Sequence, residues 1–440
     1  MATTNSTTRL SREEIVSKHR EYLLPSLASH YQDPLPFVSG KGFHLTDAEG
    51  REYLDFFGGI VTVSVGHCDE EITERTIAQM RQLQHTSTLF PIEAQARLAE
   101  RLASITPGRL KKSFFTNSGS EADEKAIQLA QAHTGRKTVV ALRHSYSGGT
   151  AGVQTLTAHA PWKINEPNAF PVVHARNAYC YRCPFGKTPS SCGMECAKDL
   201  EEVIQTSTSG EIAAFIAEPI QGVGGFITPP QDYFKEAAAI ARKYGGLFIA
   251  DEVQTGFGRT GGKWFGIEQY DVEPDLMTGA KGMANGLPIG WVIANDEVAT
   301  ALNGKVHLNT FGGNPVSSTA AMATLDAMES RDLPGNATRV GGYFRMRLEE
   351  LAEKHALIGD VRGMGLMQAL ELVKDRKTKE PAKQELQRVV EAARENGLVI
   401  GKGGLYGNVI RMTPPMSISP REVDEAIEAL DAAFTQVSTN

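Results

Sequence analysis

The 440-residue chain carries a formal net charge of −7, with 41% apolar and 22% charged residues. That balance belongs to an ordinary globular protein with a substantial core, and it speaks against a basic nucleic-acid-binding surface. No apolar run approaches the roughly 20 residues that a membrane-spanning helix requires.

The start, MATTNSTTRLSREEIV, is hydroxyl-rich and lacks an apolar signal region, and Glu13 and Glu14 fit poorly in an acid-poor transit peptide. It reads as frayed chain turning helical, and the expected location is cytoplasmic. From Gly42 to Phe56 two alternating strands flank a turn at Asp47–Gly50, a hairpin pattern. Helical spacing follows from Glu70 to about Leu83 and from Ile92 to Ile105.

Strands and helices then alternate. Strands are expected at residues 113–116, 138–142, 212–216 and 247–250, and helices at 121–133 and 232–244. This βαβα order predicts an α/β fold with a mostly parallel sheet flanked by helices. Beyond about Leu325 the spacing becomes that of a smaller α+β unit, closing with a helix capped at Ser419–Glu422. The expected division is an N-terminal segment 1–60 that packs on the small unit, a large unit 61–325, and the small C-terminal unit 326–440.

The stretch from Leu247 to Gly290 concentrates the chemistry. Leu247 to Ala250 is an apolar run suited to a buried strand, and it ends in Asp251 and Glu252. Acids at the carboxyl end of a buried strand are costly unless a cation or donor meets them, and in open α/β sheets that edge is where ligands bind. Lys281 lies in Gly279-Ala280-Lys281-Gly282, where small neighbours leave room around an amine. Either residue alone could be structural, Asp251 as a cap and Lys281 as a surface lysine. Together they match what pyridoxal phosphate needs: a lysine to form the Schiff base and an acid to keep the pyridine nitrogen protonated.

DEVQTGFGRTG followed by AKGMANGLPIG resembles the signature of the class III aminotransferases, pyridoxal-phosphate enzymes of fold type I. DFFGGIVTVSVGHC and EPIQGV extend the likeness toward the mitochondrial-type alanine–glyoxylate aminotransferases. The resemblance runs from about Gly42 to Pro415. It implies an amino group moved from an amino acid or amine to a small 2-oxo acid such as pyruvate or glyoxylate, with ping-pong kinetics. Lys281 would then be the Schiff-base lysine and proton shuttle, and Asp251 the partner of the ring nitrogen.

The polar turn Thr116–Ala122 opens a helix, and helix starts bind anions; matching the family's phosphate loop, it assigns Gly119 and Ser120 to the phosphate. The resemblance further implies Tyr146 stacked on one ring face, Val253 on the other, Gln254 on the 3′-oxygen and Glu218 in support of that corner. Ser147 stands where the family usually has histidine. Thr310 matches a threonine that reaches the phosphate from a partner subunit, which implies a homodimer with shared active sites, open to further association as a dimer of dimers. Arg411 matches the arginine that grips a substrate carboxylate, and Gly59 and Ile60 would floor the site. Many relatives carry a glutamate that masks this arginine; Val223 occupies its place here, which leaves Arg411 open to α-carboxylates.

Cys180, Cys183, Cys192 and Cys196 form C-x2-C-x8-C-x3-C within residues 179–197, an insertion relative to the plainest family members. Structural zinc, a disulfide-stapled loop and free thiols are all compatible with that spacing, and no metal is assigned. Gly222-Val223-Gly224 and Gly363-Met364-Gly365 lack the third glycine of a dinucleotide fingerprint, and no G-x-S-x-G elbow occurs. The competing readings are a lyase of the same fold, of dialkylglycine-decarboxylase or amino-alcohol-phosphate phospho-lyase type, and a non-catalytic relative.

Overall fold

The structure, a computed structural model, describes residues 9–438; the frayed start expected over residues 1–8 lies outside them. Ser11 and Glu14 cap the first helix, Arg12–Tyr22, reciprocally, and none of its residues is buried. Three antiparallel strands follow: β1 (Phe37–Lys41), β2 (His44–Asp47) and β3 (Glu52–Asp55). Their turn sits where expected because Asp47 Oδ1 accepts from the amides of Glu49 and Arg51 at 2.9 and 3.0 Å.

Seven strands form the main sheet: β4 (Lys112–Thr116), β5 (Val139–Leu142), β6 (Val172–Ala175), β7 (Ala214–Ala217), β8 (Leu247–Asp251), β9 (Leu276–Gly279) and β10 (Gly290–Ala294). Their order is β4-β10-β9-β8-β7-β5-β6. From β9 to β6 every pairing is parallel, while β10 runs against both its neighbours. β5 and β7 are buried along their whole length, which is why they read as unbroken apolar runs rather than alternating ones. The strands and helices expected between residues 113 and 250 all lie within about two residues of their observed bounds.

A second antiparallel sheet, β11 (Ile358–Met364), β12 (Met367–Leu372), β14 (Gly401–Gly403) and β15 (Val409–Met412), follows the long helices Pro315–Ser330 and Leu333–Lys354. Between β12 and β14, β13 (Leu398–Val399) pairs in parallel with β3 and so ties the N-terminal strands to this region. His30 Nε2 lies 2.8 Å from the Ile400 carbonyl, and the Gln32 amide donates to Glu391 Oε1 at 2.9 Å.

Glu371, on β12, is fully buried and anchors the start of the cysteine segment to this sheet. It accepts from the Tyr179 hydroxyl, from Arg182 Nε at 2.5 Å and from Arg362 Nη1 at 2.6 Å. Removing one member of such a network strands buried charge, at about 3–5 kcal/mol. Glu371→Ala should therefore lower unfolding stability by about that amount in a urea titration, and a midpoint unchanged from the parent would show that the network is energetically idle.

Candidate active site

The carboxyl edge of β7, β8 and β9 opens onto a cavity of about 160 Å³ lined by Gly119, Ser120, Asp123, Tyr146, Ser147, Gly148, Glu218, Asp251, Val253, Gln254, Ala280 and Lys281. Strand alternation sorts the two acids that end β8. Asp251 faces the cavity, whereas Glu252 turns away and accepts from Thr255 Oγ1 at 2.5 Å and from the Gly266 and Ile267 amides at 2.9 and 2.6 Å. Glu252 thus holds the following loop and is structural.

Lys281 follows β9 with φ of 39°, a left-handed conformation that a lysine adopts only at a cost. Its amine is buried. Burial pulls it below lysine's ordinary range, against the opposing pull of Asp251 and Glu218. Glu218 accepts from the Tyr146 amide at 3.2 Å and the Gly222 amide at 2.7 Å. Burial, with Asp251 close by, still pushes its carboxyl up to about 8.

One wall is the first turn of the helix Gly119–Thr134, begun by Ser118 Oγ accepting from the Glu121 amide at 3.3 Å. Its unpaired backbone donors and its dipole favour an anion. The chain passes this turn closely: a Cβ at Gly148 would coincide with Ser120 Oγ, and one at Gly119 would meet Val253 at 2.9 Å. Tyr146 and Val253 line the cavity, with the Tyr146 ring braced edge-on by Trp162 at 5.2 Å.

Arg411, on β15, is buried outside the lining but close enough to influence Lys281 and to be influenced by Glu218. Its Nε donates to the Lys402 carbonyl at 2.9 Å and Nη1 to the Gly222 carbonyl at 3.2 Å. Among the described residues it makes no ion pair. Burial draws its guanidinium down to about 10.

Most of the expected site residues therefore converge. Gly59 and Ile60 do not: the left-handed turn that carries them, with φ of 56° and 66°, leaves both exposed and outside the lining. Thr310 also lies outside it, on an exposed loop. In the cysteine segment Cys180, Cys183, Cys192 and Cys196 line one small cavity without forming a disulfide. Among the described residues no group of three or more His, Cys, Asp or Glu side chains is arranged to hold a metal ion. Asp123 was missed. The signal for it was an acid in the apolar face set by Ala122, Ala126, Ile127 and Ala130.

Pyridoxal phosphate fits this lining. A buried amine stands beside Asp251 and Glu218, a glycine-floored helix start offers an anion cradle, and the buried Gln254 Oε1 and Asp123 Oδ2 have no hydrogen-bond partner. Fold and site together define a pyridoxal-phosphate enzyme of fold type I.

The chain belongs to the class-III aminotransferases, whose family profile matches residues 27–434. It is 45% identical over 97% of its length to a protein of Arabidopsis thaliana described as mitochondrial alanine–glyoxylate aminotransferase 2 homolog 2, covering 88% of that protein. A leucine/methionine racemase of Thermococcus litoralis is 39% identical, with 97% of this chain and 96% of the racemase covered. Among solved structures, a thermostable (S)-enantioselective omega-transaminase from Thermomicrobium roseum superposes with a TM-score of 0.91 at 36% identity, over 98% of this chain and 99% of the other. The protein is thus a pyridoxal-phosphate-dependent transaminase acting on small amino and keto acids.

Glu218 has a measurable consequence. In the cofactor-free protein its carboxyl keeps a proton up to about 8, while an ordinary glutamate releases it near 4.5. Between those values the folded state binds a proton that the unfolded state has lost, so this group makes stability fall as pH rises. The thermal midpoint of cofactor-free protein should drop from about pH 6 to about pH 8, and more steeply than that of Glu218→Gln, whose amide oxygen still accepts from Tyr146 and Gly222. Equal slopes would contradict the assignment.

Proposed function

We propose that the protein transfers the amino group of a small α-amino acid, alanine first among them, to a small 2-oxo acid such as glyoxylate or pyruvate. The observation that carries this is the buried Lys281 amine at the head of a cavity with Asp251 inside it and the unpaired Arg411 close by. The Arabidopsis relative, named for alanine and glyoxylate, supports the substrate class.

In this reading Lys281 would hold the cofactor aldehyde, Asp251 its ring nitrogen, Gln254 its 3′-oxygen with Glu218 behind it, and Gly119 and Ser120 its phosphate. Bound there, the cofactor supplies an electron sink for the bond broken at the substrate Cα. Lys281, its amine eased toward the neutral form by burial, moves the proton between the two carbons of the transfer. Tyr146 and Val253 confine the ring from its two faces and exclude water. Arg411 grips the substrate carboxylate with its guanidinium fork, which its carbonyl partners hold without neutralising it. Val223, buried and uncharged, leaves that guanidinium unmasked. The two half-reactions share one site and proceed by ping-pong exchange.

The large unit at 61–325 supplies the cofactor side of this site, and the small unit at 326–440 supplies Arg411. We assign Thr310 to the active site of a second copy. Asn309 bonds Asn117 and Glu121 at the start of the chain's own helix at 3.0 and 2.8 Å, so Thr310 is held outward on a fixed loop. Thr88 bonds the Asn309 carbonyl, and around that contact Leu89, Phe90, Val306, Leu308 and Phe311 are exposed, an apolar surface that suits an isologous interface. Sedimentation should give the mass of a dimer or of a dimer of dimers; an active monomer would refute shared sites.

The racemase relative favours a second reading, inversion at Cα in the same site. One assay separates them: alanine and glyoxylate should yield pyruvate and glycine, whereas D-alanine without pyruvate would establish the racemase. In that assay Lys281→Ala should lose about a thousandfold or more in turnover. Arg411→Ala should raise the KM for alanine by about ten- to a hundredfold, and that for an amine lacking a carboxylate far less. Equal effects on both donors would remove Arg411 from carboxylate recognition.

A further inference from the structure

Asp123 has no assigned part in the site, yet it is 1% exposed and lines the cavity from one turn along the helix Gly119–Thr134. Its Oδ1 accepts from Thr278 Oγ1, on β9, at 2.6 Å. Its Oδ2 is buried with no donor, while the Asp251 carboxyl, on the neighbouring β8, lies within hydrogen-bonding reach. Two neighbouring carboxyl groups in one buried cavity resist ionising together, and the pair is eased when one keeps a proton and gives it to the other as a hydrogen bond.

The surroundings decide which. Asp251 receives the Val253 amide at 3.1 Å and lies in the positive field of Lys281, and both favour its ionised form. Asp123 has only the Thr278 hydroxyl, and it faces Glu218 beyond β7 as well as Asp251. Burial first, and then Asp251, drive its carboxyl well above the carboxylate range. Lys281 beyond β9 acts on both acids, and Arg411 on β15 acts on Glu218 and Lys281.

We propose that Asp123 is a positioning residue that stays protonated and donates its O–H to Asp251, so that the pair carries a single negative charge held on Asp251. This rests on the reading of Asp251 as the partner of the cofactor's ring nitrogen, which needs one fixed, undivided charge. It also joins two functions in one helical turn: Gly119 and Ser120 at the anion cradle, and Asp123 bracing the acid at the other end of the cavity.

Infrared difference spectroscopy tests it on the full-length chain, stripped of cofactor and then reloaded with pyridoxal phosphate. At neutral pH the wild type minus Asp123→Asn spectrum should show a protonated-carboxyl stretch, with Glu218→Gln subtracted separately to remove that acid's own band. Asp251→Asn, whose amide would donate to Asp123, should let Asp123 ionise and lose the band too. Asp123→Leu, with no donor left for Asp251, should bind pyridoxal phosphate about tenfold more weakly than Asp123→Asn, whose amide still donates. A wild-type spectrum matching that of Asp123→Asn in the carboxyl region would overturn the proposal, and so would equal affinity in the two Asp123 variants. If the band is present but wild-type protein takes up no pyridoxal phosphate, the cofactor reading of Asp251 falls while the shared proton stands.

Discussion

A lysine amine buried beside carboxyl groups is the constraint that organises this protein. Burial penalises every charge in the cavity, so the groups there are arranged to hold few of them. Burial raises the Asp251 carboxyl as well, while the Val253 amide and Lys281 pull the other way and favour its charged form. Glu218, pushed up to about 8, is largely neutral near pH 7, and Asp123 is neutral as well. Against the one anion stand Lys281 and Arg411. The cavity is therefore short of negative charge, which suits a site that must take in a phosphate and a substrate carboxylate.

That balance depends on the sheet. β8 and β9 are buried and parallel, so their carboxyl ends deliver Asp251 and Lys281 to the same edge with little freedom to move apart. The helix start beside them adds the anion cradle at no cost in side-chain charge. β15 comes from a different sheet, and the Arg411 guanidinium is held between the Lys402 carbonyl of its own sheet and the Gly222 carbonyl beyond β7. Arg411 is thereby mounted on a different sheet from the one whose edge carries Lys281. Any relative motion of the two parts would change the spacing between amine and guanidinium.

The fold was largely legible in the sequence because parallel strands buried on both faces write themselves as short apolar runs, as in Val139–Leu142 and Ala214–Ala217. β9 and β10 were not legible. β9 mixes Thr278 and Gly279 into a short apolar run, and β10 opens on Gly290, so neither stands out as an unbroken apolar stretch. The site was legible in part: the strand-end acid Asp251 and Lys281 among its small neighbours do meet at one cavity. It was illegible where the role depends on direction. Gly59 and Ile60 sit in the right stretch, but a left-handed turn exposes them. Spacing alone could not say that Cys180, Cys183, Cys192 and Cys196 would line one small cavity.

Asp123 exposes a different limit of sequence reading. A carboxyl on an apolar helix face announces that something opposite must satisfy it, but a sequence does not say whether that partner is a cation, a donor or a second acid. Here it is a second acid, and the consequence reaches beyond local stability. A cation opposite Asp123 would have left two independent charges, while a neutral donor would have left Asp123 charged and competing with Asp251 for Lys281. An acid opposite it forces a proton to be retained, and that proton concentrates the remaining charge on the side chain nearest Lys281. Burial, a penalty everywhere else in the core, is here what selects the protonation state.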